Sequence, residues 1–146
     1  MSKHKLSSSK HGTRQSQWRT PPPDQFQQGL RAFEAGNFDG AITVWSPLAQ
    51  RDPRVQAPLA EAFFRRAIMY HSIEARVSGL EYALRLAPGD TRYQYHLGLA
   101  RHLAGDLAAA IRHYRMVLDA DRDWPGAAMV LALASLEQDA HVDLAA

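Results

Sequence analysis

The sequence contains no cysteine, so it has no disulfide framework and no thiolate chemistry. It has no apolar run of the roughly 18 to 20 residues that a membrane span needs. Its charged N-terminus has no apolar stretch behind it, which argues against a secretory signal and leads us to expect a cytoplasmic protein. Acids are absent from residues 1–23, where Lys3, Lys5, Lys10, Arg14 and Arg19 stand alone. Lysine is absent from Asp24 onward, and a GC-rich bacterial genome is the plainest source of that bias. The 123 residues from Asp24 hold 12 Arg against 15 acids, a net of −3. The basic balance of the chain therefore sits in its first segment and not on the folded surface.

At 146 residues the chain is long enough for one core and too short for two. Residues 1–23 are poor in apolar groups, rich in Ser and basic residues, and closed by three prolines. Such a segment cannot bury enough surface to offset its ordering entropy, so a disordered tail is expected, either a solvated leader or an electrostatic arm for nucleic acid or an anionic surface. From Asp24, which can cap a first helix, apolar residues recur with a helical period, and Gly, Asp and Pro mark the breaks. Seven helices are expected at 24–35, 38–51, 57–71, 73–86, 91–104, 107–120 and 125–138. Their connections are a few residues long, so neighbours must fold back as antiparallel hairpins. Pro47 falls inside the second helix and should interrupt it at Ser46, whereas Pro58 and Pro125 fit helix starts.

One stretch is repeated. GNFDGAIT begins at Gly36 and GDLAAAIR at Gly105, 69 residues later. That distance is close to twice 34 and predicts a weaker copy between them. The copy is present: Phe38, Ile73 and Leu107 align, as do Trp45, Leu80 and Tyr114, in steps of 35 and 34 residues. The closing turns align as RDP at 51–53, LAP at 86–88 and ADR at 120–122.

A helix-turn-helix unit of this length, with Leu-Gly in its first helix, Ala and an aromatic in its second, and Pro at its end, resembles the tetratricopeptide repeat family. The third copy matches best, with Leu97, Gly98, Gly105, Leu107, Ala110, Ile111 and Tyr114. The first supplies Gly29, Gly36, Phe38, Ala41, Ile42, Trp45 and Pro53 but has Gln28 where Leu is usual. The middle copy keeps Leu80, Ala83 and Pro88 and places Phe64 and Arg76 where small residues are usual. The resemblance implies an all-α, right-handed solenoid of about three repeats over 24–140 (22–55, 57–90 and 91–124), a capping helix at 125–138 and a tail at 141–146. Three repeats is about the minimum for stability, because each unit buries its apolar face only against the next.

The resemblance also implies a function. Members of the family bind peptides or partner helices along a concave face lined by the first helix of each repeat. Carried across, that face presents Phe26, Leu30, Phe33 and Glu34, then Glu61, Arg65, Ile68 and Met69, then Arg92, Tyr95, Leu99, His102 and Leu103. This mostly apolar stripe with interspersed Arg suits an apolar segment bearing a few acids. Phe33 and Tyr95 are the expected anchors. One subtype clamps the acidic tail of a chaperone with Lys, Asn and Arg. The matching positions here hold Phe26, Leu30 and Ala62, leaving only Arg92, so a cochaperone is not expected.

Nothing in the sequence points to catalysis or to a cofactor. His96, His102 and His113 are spaced by six and eleven residues, which does not put two ligands one helical turn apart. Asp119, Asp121 and Asp123 lack the glycine and closing Glu of a calcium loop. Residues 127–136 contain no charge, whereas a terminal helix usually keeps a polar outer face. Self-association or partner docking through Trp124, Met129, Val130, Leu133 and Leu136 is expected, unless the short tail folds over them. The sequence thus points to a non-catalytic adaptor that binds a protein segment. The alternative is a nucleic-acid or anionic-surface accessory, with the basic segment as its arm and the repeats as a dimer platform.

Overall fold

The computed structural model describes residues 24–145. The basic segment and the disorder expected of it lie outside the described residues. Seven α-helices follow in order: α1 Gln25–Glu34, α2 Phe38–Trp45, α3 Gln56–Met69, α4 Ile73–Leu86, α5 Thr91–Leu103, α6 Leu107–Ala120 and α7 Ala127–Ala145. There is no strand among the described residues. The substantial contacts are all between helices adjacent in the chain, so the pairs α1–α2, α3–α4 and α5–α6 stack in a right-handed solenoid closed by α7.

The local chemistry of the turns explains why the helices end where they do. Gly36 and Gly105 have φ of +74° and +78°, the left-handed conformation that costs an L side chain but not glycine. Each closes its helix with a Schellman pair. Gly36 N–H donates to Phe33 C=O and Asn37 N–H to Ala32 C=O, both at 2.9 Å, and Gly105 and Asp106 repeat the pattern on His102 and Arg101. The next residue then caps the following helix, Asn37 accepting from Gly40 N–H at 2.9 Å and Asp106 from Ala109 N–H at 3.1 Å. The repeated Gly-Asn and Gly-Asp pairs are therefore complete stop-and-start signals. In the middle repeat the signal is different: Tyr70 leaves α3 in an extended conformation and the Ser72 hydroxyl caps α4, accepting from Ala75 N–H at 3.3 Å.

Within each pair, packing depends on matched sizes. A Cβ on Gly29 would lie inside the Trp45 indole, and one on Gly98 would lie 2.7 Å from the Tyr114 ring. The glycines therefore admit the large aromatic of their own repeat, and Trp45 and Tyr114 are fully buried against them. In the middle repeat the order is inverted. Phe64 stands where Gly29 and Gly98 stand, and Leu80 where Trp45 and Tyr114 stand. Phe64 is buried and reaches forward to Tyr93 and His96, at 4.9 and 5.1 Å between ring centroids. The close approach moves to Gly79, where an added Cβ would lie 2.8 Å from the Ala67 Cβ. The middle copy thus keeps the fold by exchanging large for small across the helix pair.

Pro47 interrupts the second helix at Ser46 as expected, so α2 ends at Trp45, short of 51, and the chain continues as a single 3-10 turn, Ser46–Leu48. Two further expectations about helix limits are corrected. Pro125 does not start the last helix, because Gly126 (φ +78°) holds a turn first and α7 begins at Ala127. α7 also does not stop at 138. It runs 19 residues, to Ala145, so residues 141–145 prolong it and cannot fold back as a covering tail. At 1.5 Å per residue α7 is roughly 28 Å long, against roughly 20 Å for α5. Gln138, His141 and Val142 near its end line a hollow with Gly105 and Asp106 of the α5–α6 turn, and Val142 and Leu144 are 63 % and 86 % exposed.

Candidate functional site

The first helices of the second and third repeats and the closing helix leave a groove of about 740 Å³ between them. α3 contributes Ile68, α5 contributes His96, Leu99, Ala100, His102 and Leu103, and α7 contributes Val130, Leu133 and Glu137. Arg76 enters from α4. The walls are largely apolar. Ile68, Leu103 and Leu133 are 40 %, 63 % and 49 % exposed, three accessible aliphatic side chains on three different helices.

The polar groups of the groove are held in place from below. His102 Nε2 donates to a Glu137 carboxylate oxygen at 2.9 Å, which leaves Nδ1 to accept from the Tyr114 hydroxyl at 3.3 Å. Burial pushes the Tyr114 phenol up to about 12, with Tyr95 and Glu137 adding to it. Tyr114 thus stays protonated as the donor, and a chain of contacts ties α7 to α5 and α6. Burial holds His96 below the ordinary imidazole range, and the charges of Arg92 and Arg76 push it further down. Between α3 and α5, Glu61 of α3 gathers Arg65 at 2.7 Å, Arg92 at 3.1 Å and the Tyr93 hydroxyl at 2.8 Å. Burial alone would raise the Glu61 carboxyl, but its hydrogen bonds from Arg65 and Tyr93 and the charge of Arg92 outweigh that and hold it low.

The structure sorts the residues expected from the sequence. Leu99 and His102, with Ile68 and Leu103, line the groove, and Val130 and Leu133 from the expected self-association set line it as well. Phe26, Leu30 and Phe33 lie apart, packed against the core of the first repeat. Phe33 sits 5.3 Å from Phe38 and 6.1 Å from Trp45 between ring centroids. Tyr95 is wedged between Tyr114 and Trp124 at 6.2 and 6.0 Å, so it and Trp124 form an aromatic step that seats α7. Phe33 and Tyr95 are therefore built into packing, and a charge at either would test the fold as much as binding. Met69 opens onto a smaller hollow of about 240 Å³ beside Gly36 and Arg66. Arg65 and Arg92 are already paired with Glu61. Met129 and Leu136 stand out from α7, 71 % and 68 % exposed. The groove residues not expected were Arg76, His96, Ala100 and Glu137. Among these only Arg76 left a trace in the sequence, as a departure from the repeat pattern.

A pH dependence follows from two histidines. His113 is held below the ordinary range by burial and then by Arg101 and Arg112, and its Nδ1 receives the buried Gln94 amide at 2.8 Å, which requires a neutral ring. For His96 and His113 the folded value lies below the unfolded one. Their contribution is complete above about pH 6.5 and is lost as pH falls from there through the folded values. A thermal melt at pH 5.5 should give a Tm a few degrees below that at pH 7.5, on the order of 2 to 8 °C per kcal/mol lost. The double variant His96→Gln, His113→Gln should flatten that difference. The loss from Glu61 begins only below about pH 4.5 and does not interfere.

An α-solenoid with an open apolar groove on its first helices is the class of protein defined by this geometry. No family model matches the chain, and no curated protein matches it. Solved structures do. The first tetratricopeptide domain of Spaghetti (RPAP3), bound to the HSP90 peptide SRMEEVD, superposes with a TM-score of 0.51 at 23 % identity, over 79 % of this chain and 93 % of that one. The solution structure of the first such domain of human RPAP3 gives 0.50 at 22 %, over 82 % and 93 %. The MamA protein gives 0.52 at 20 %, over 79 % and 81 %. The chain is tetratricopeptide-like, and the likeness is one of fold.

Proposed function

We propose that this chain is a non-catalytic interaction module that takes an apolar segment of another protein into the groove between α3, α5 and α7. The observation that carries this reading is the set Ile68, Leu103 and Leu133. Three exposed aliphatic side chains converge on one concave opening, where a folded monomer gains nothing by displaying them. The fold supports the reading, since one of the similar domains is bound to a peptide. That peptide, SRMEEVD, is acidic, whereas the positions where the resemblance would put a clamp for an acidic tail hold Phe26, Leu30 and Ala62 here and leave only Arg92. An apolar segment suits these walls better.

The test is selection from a displayed library of random dodecapeptides against the full chain, with the double variant Leu103→Asp, Leu133→Asp as control. Both leucines are about half or more exposed, so the variant should melt within a few degrees of wild type. Recovered peptides should bind wild type at least about tenfold more tightly, or ~1.4 kcal/mol. Equal binding to both proteins would remove the groove from consideration.

A further inference from the structure

The middle repeat places Arg76 where the other two place Ala41 and Ala110, both fully buried between paired helices. An arginine cannot fit that space, and its side chain runs out along α4 to the groove. One end of the guanidinium is used: Nη2 donates to the Tyr70 carbonyl at 2.7 Å and so holds the α3–α4 turn that lacks a glycine. The Nε–H is buried and has no acceptor among the described residues, as is also true of Arg66 and Arg101. Among the described residues Arg76 forms no ion pair, whereas Arg65 and Arg92 share Glu61 and Arg101 is bonded to Glu81. The carboxylate at the other side of the groove, Glu137, accepts from His102 and keeps its charge. Among the described residues the groove thus presents an apolar trough with a cation without an ion pair, Arg76, on one wall, beside the His96 imidazole, and the Glu137 carboxylate on the other.

Resting on the groove reading above, we infer that Arg76 selects the occupant: a segment of another protein in which one Asp or Glu, flanked by aliphatic side chains, meets the Arg76 guanidinium. The charge complementarity is local to the Arg76 end of the groove. An all-apolar segment would cover the guanidinium with no carboxylate to meet it, and a basic side chain at that end would meet a like charge. Arg76 comes from the second helix of its repeat, so the contact reaches the trough from its floor and not from its first-helix walls.

The experiment uses peptides recovered from the dodecapeptide library against the full chain. Those peptides should carry a single acid among apolar residues. Replacing that acid with its amide should weaken binding to wild type about tenfold and leave binding to Arg76→Gln unchanged. A merely structural Arg76 would lower binding of acid and amide peptides alike. Arg76→Met, which keeps the aliphatic stem, serves if Arg76→Gln unfolds. A measurement on wild type needs no variant: the Arg76 Nε–H proton resonance should shift on adding the acid peptide and stay in place on adding its amide. No acid among the recovered peptides, equal loss in wild type and variant, or an unmoved resonance would overturn the role of Arg76 and leave the groove standing. Failure to recover any peptide that distinguishes wild type from Leu103→Asp, Leu133→Asp would instead remove both.

Discussion

Gly98→Ala should destabilise the chain by about 2 kcal/mol even though alanine is the better helix former by about 1 kcal/mol. The added methyl would lie 2.7 Å from the Tyr114 ring and 3.2 Å from the His113 Cβ. Tyr114 has no room to withdraw, being fully buried with its hydroxyl near His102. Gly29→Ala should cost at least as much, because the methyl would enter the Trp45 indole, whose N–H donates to the Phe26 carbonyl at 3.2 Å. The decisive measurement is a double-mutant cycle by urea unfolding. Tyr114→Leu alone leaves a cavity, but combined with Gly98→Ala it gives the methyl somewhere to go, so the pair should cost less than the sum by about 1 kcal/mol or more. Additive losses would show that the close approach is not what glycine supplies there.

The mirror experiment has the larger effect. Phe64→Gly restores the repeat signature and should nonetheless cost about 4 kcal/mol, from loss of a buried ring and a glycine in a helix interior. Phe64 is 7 % exposed, packs on Tyr93 and His96, and has the Arg92 guanidinium 5.6 Å from its ring. Leu80 cannot refill that volume from the other helix. Against a total stability on the order of 5 to 15 kcal/mol, the loss would leave the stack near its unfolding threshold, since the middle unit carries both interfaces. Adding Leu80→Tyr should recover part of it. A stable Phe64→Gly protein would mean that the exchange of large for small is not what holds this repeat.

How far each feature was legible follows from how local its cause is. The Gly36 and Gly105 turns were readable because their signal, glycine followed by a capping Asn or Asp, acts over a few residues. Pro47 was readable for the same reason. The end of α7 was not: residues 139–145 carry no stop signal, and the helix continues until the described chain ends. Phe33 and Tyr95 were read as anchors because a helical period tells which face a residue is on. It does not tell what packs beside them: Phe38 and Trp45 on α2 flank Phe33, and Tyr114 on α6 and Trp124 in the α6–α7 turn flank Tyr95. Arg76 was visible as an exception to the pattern, but its lack of an ion pair among the described residues depends on where Glu61, Glu81 and Glu137 sit on other helices.

The sequence by itself determined the helices, their antiparallel pairing and the phase of the three repeats, because capping, turn conformation and apolar period act within one unit of about 34 residues. Only the tertiary structure decided that α3, α5 and α7 enclose one groove, that Leu99 and His102, expected for partner binding, meet Val130 and Leu133, expected for self-association, in it, and that Arg76 on its wall has no ion pair among the described residues. Those are relations between residues up to 69 positions apart, from Ile68 on α3 to Glu137 on α7. They arise when stacked repeats share surface, and no single repeat encodes them.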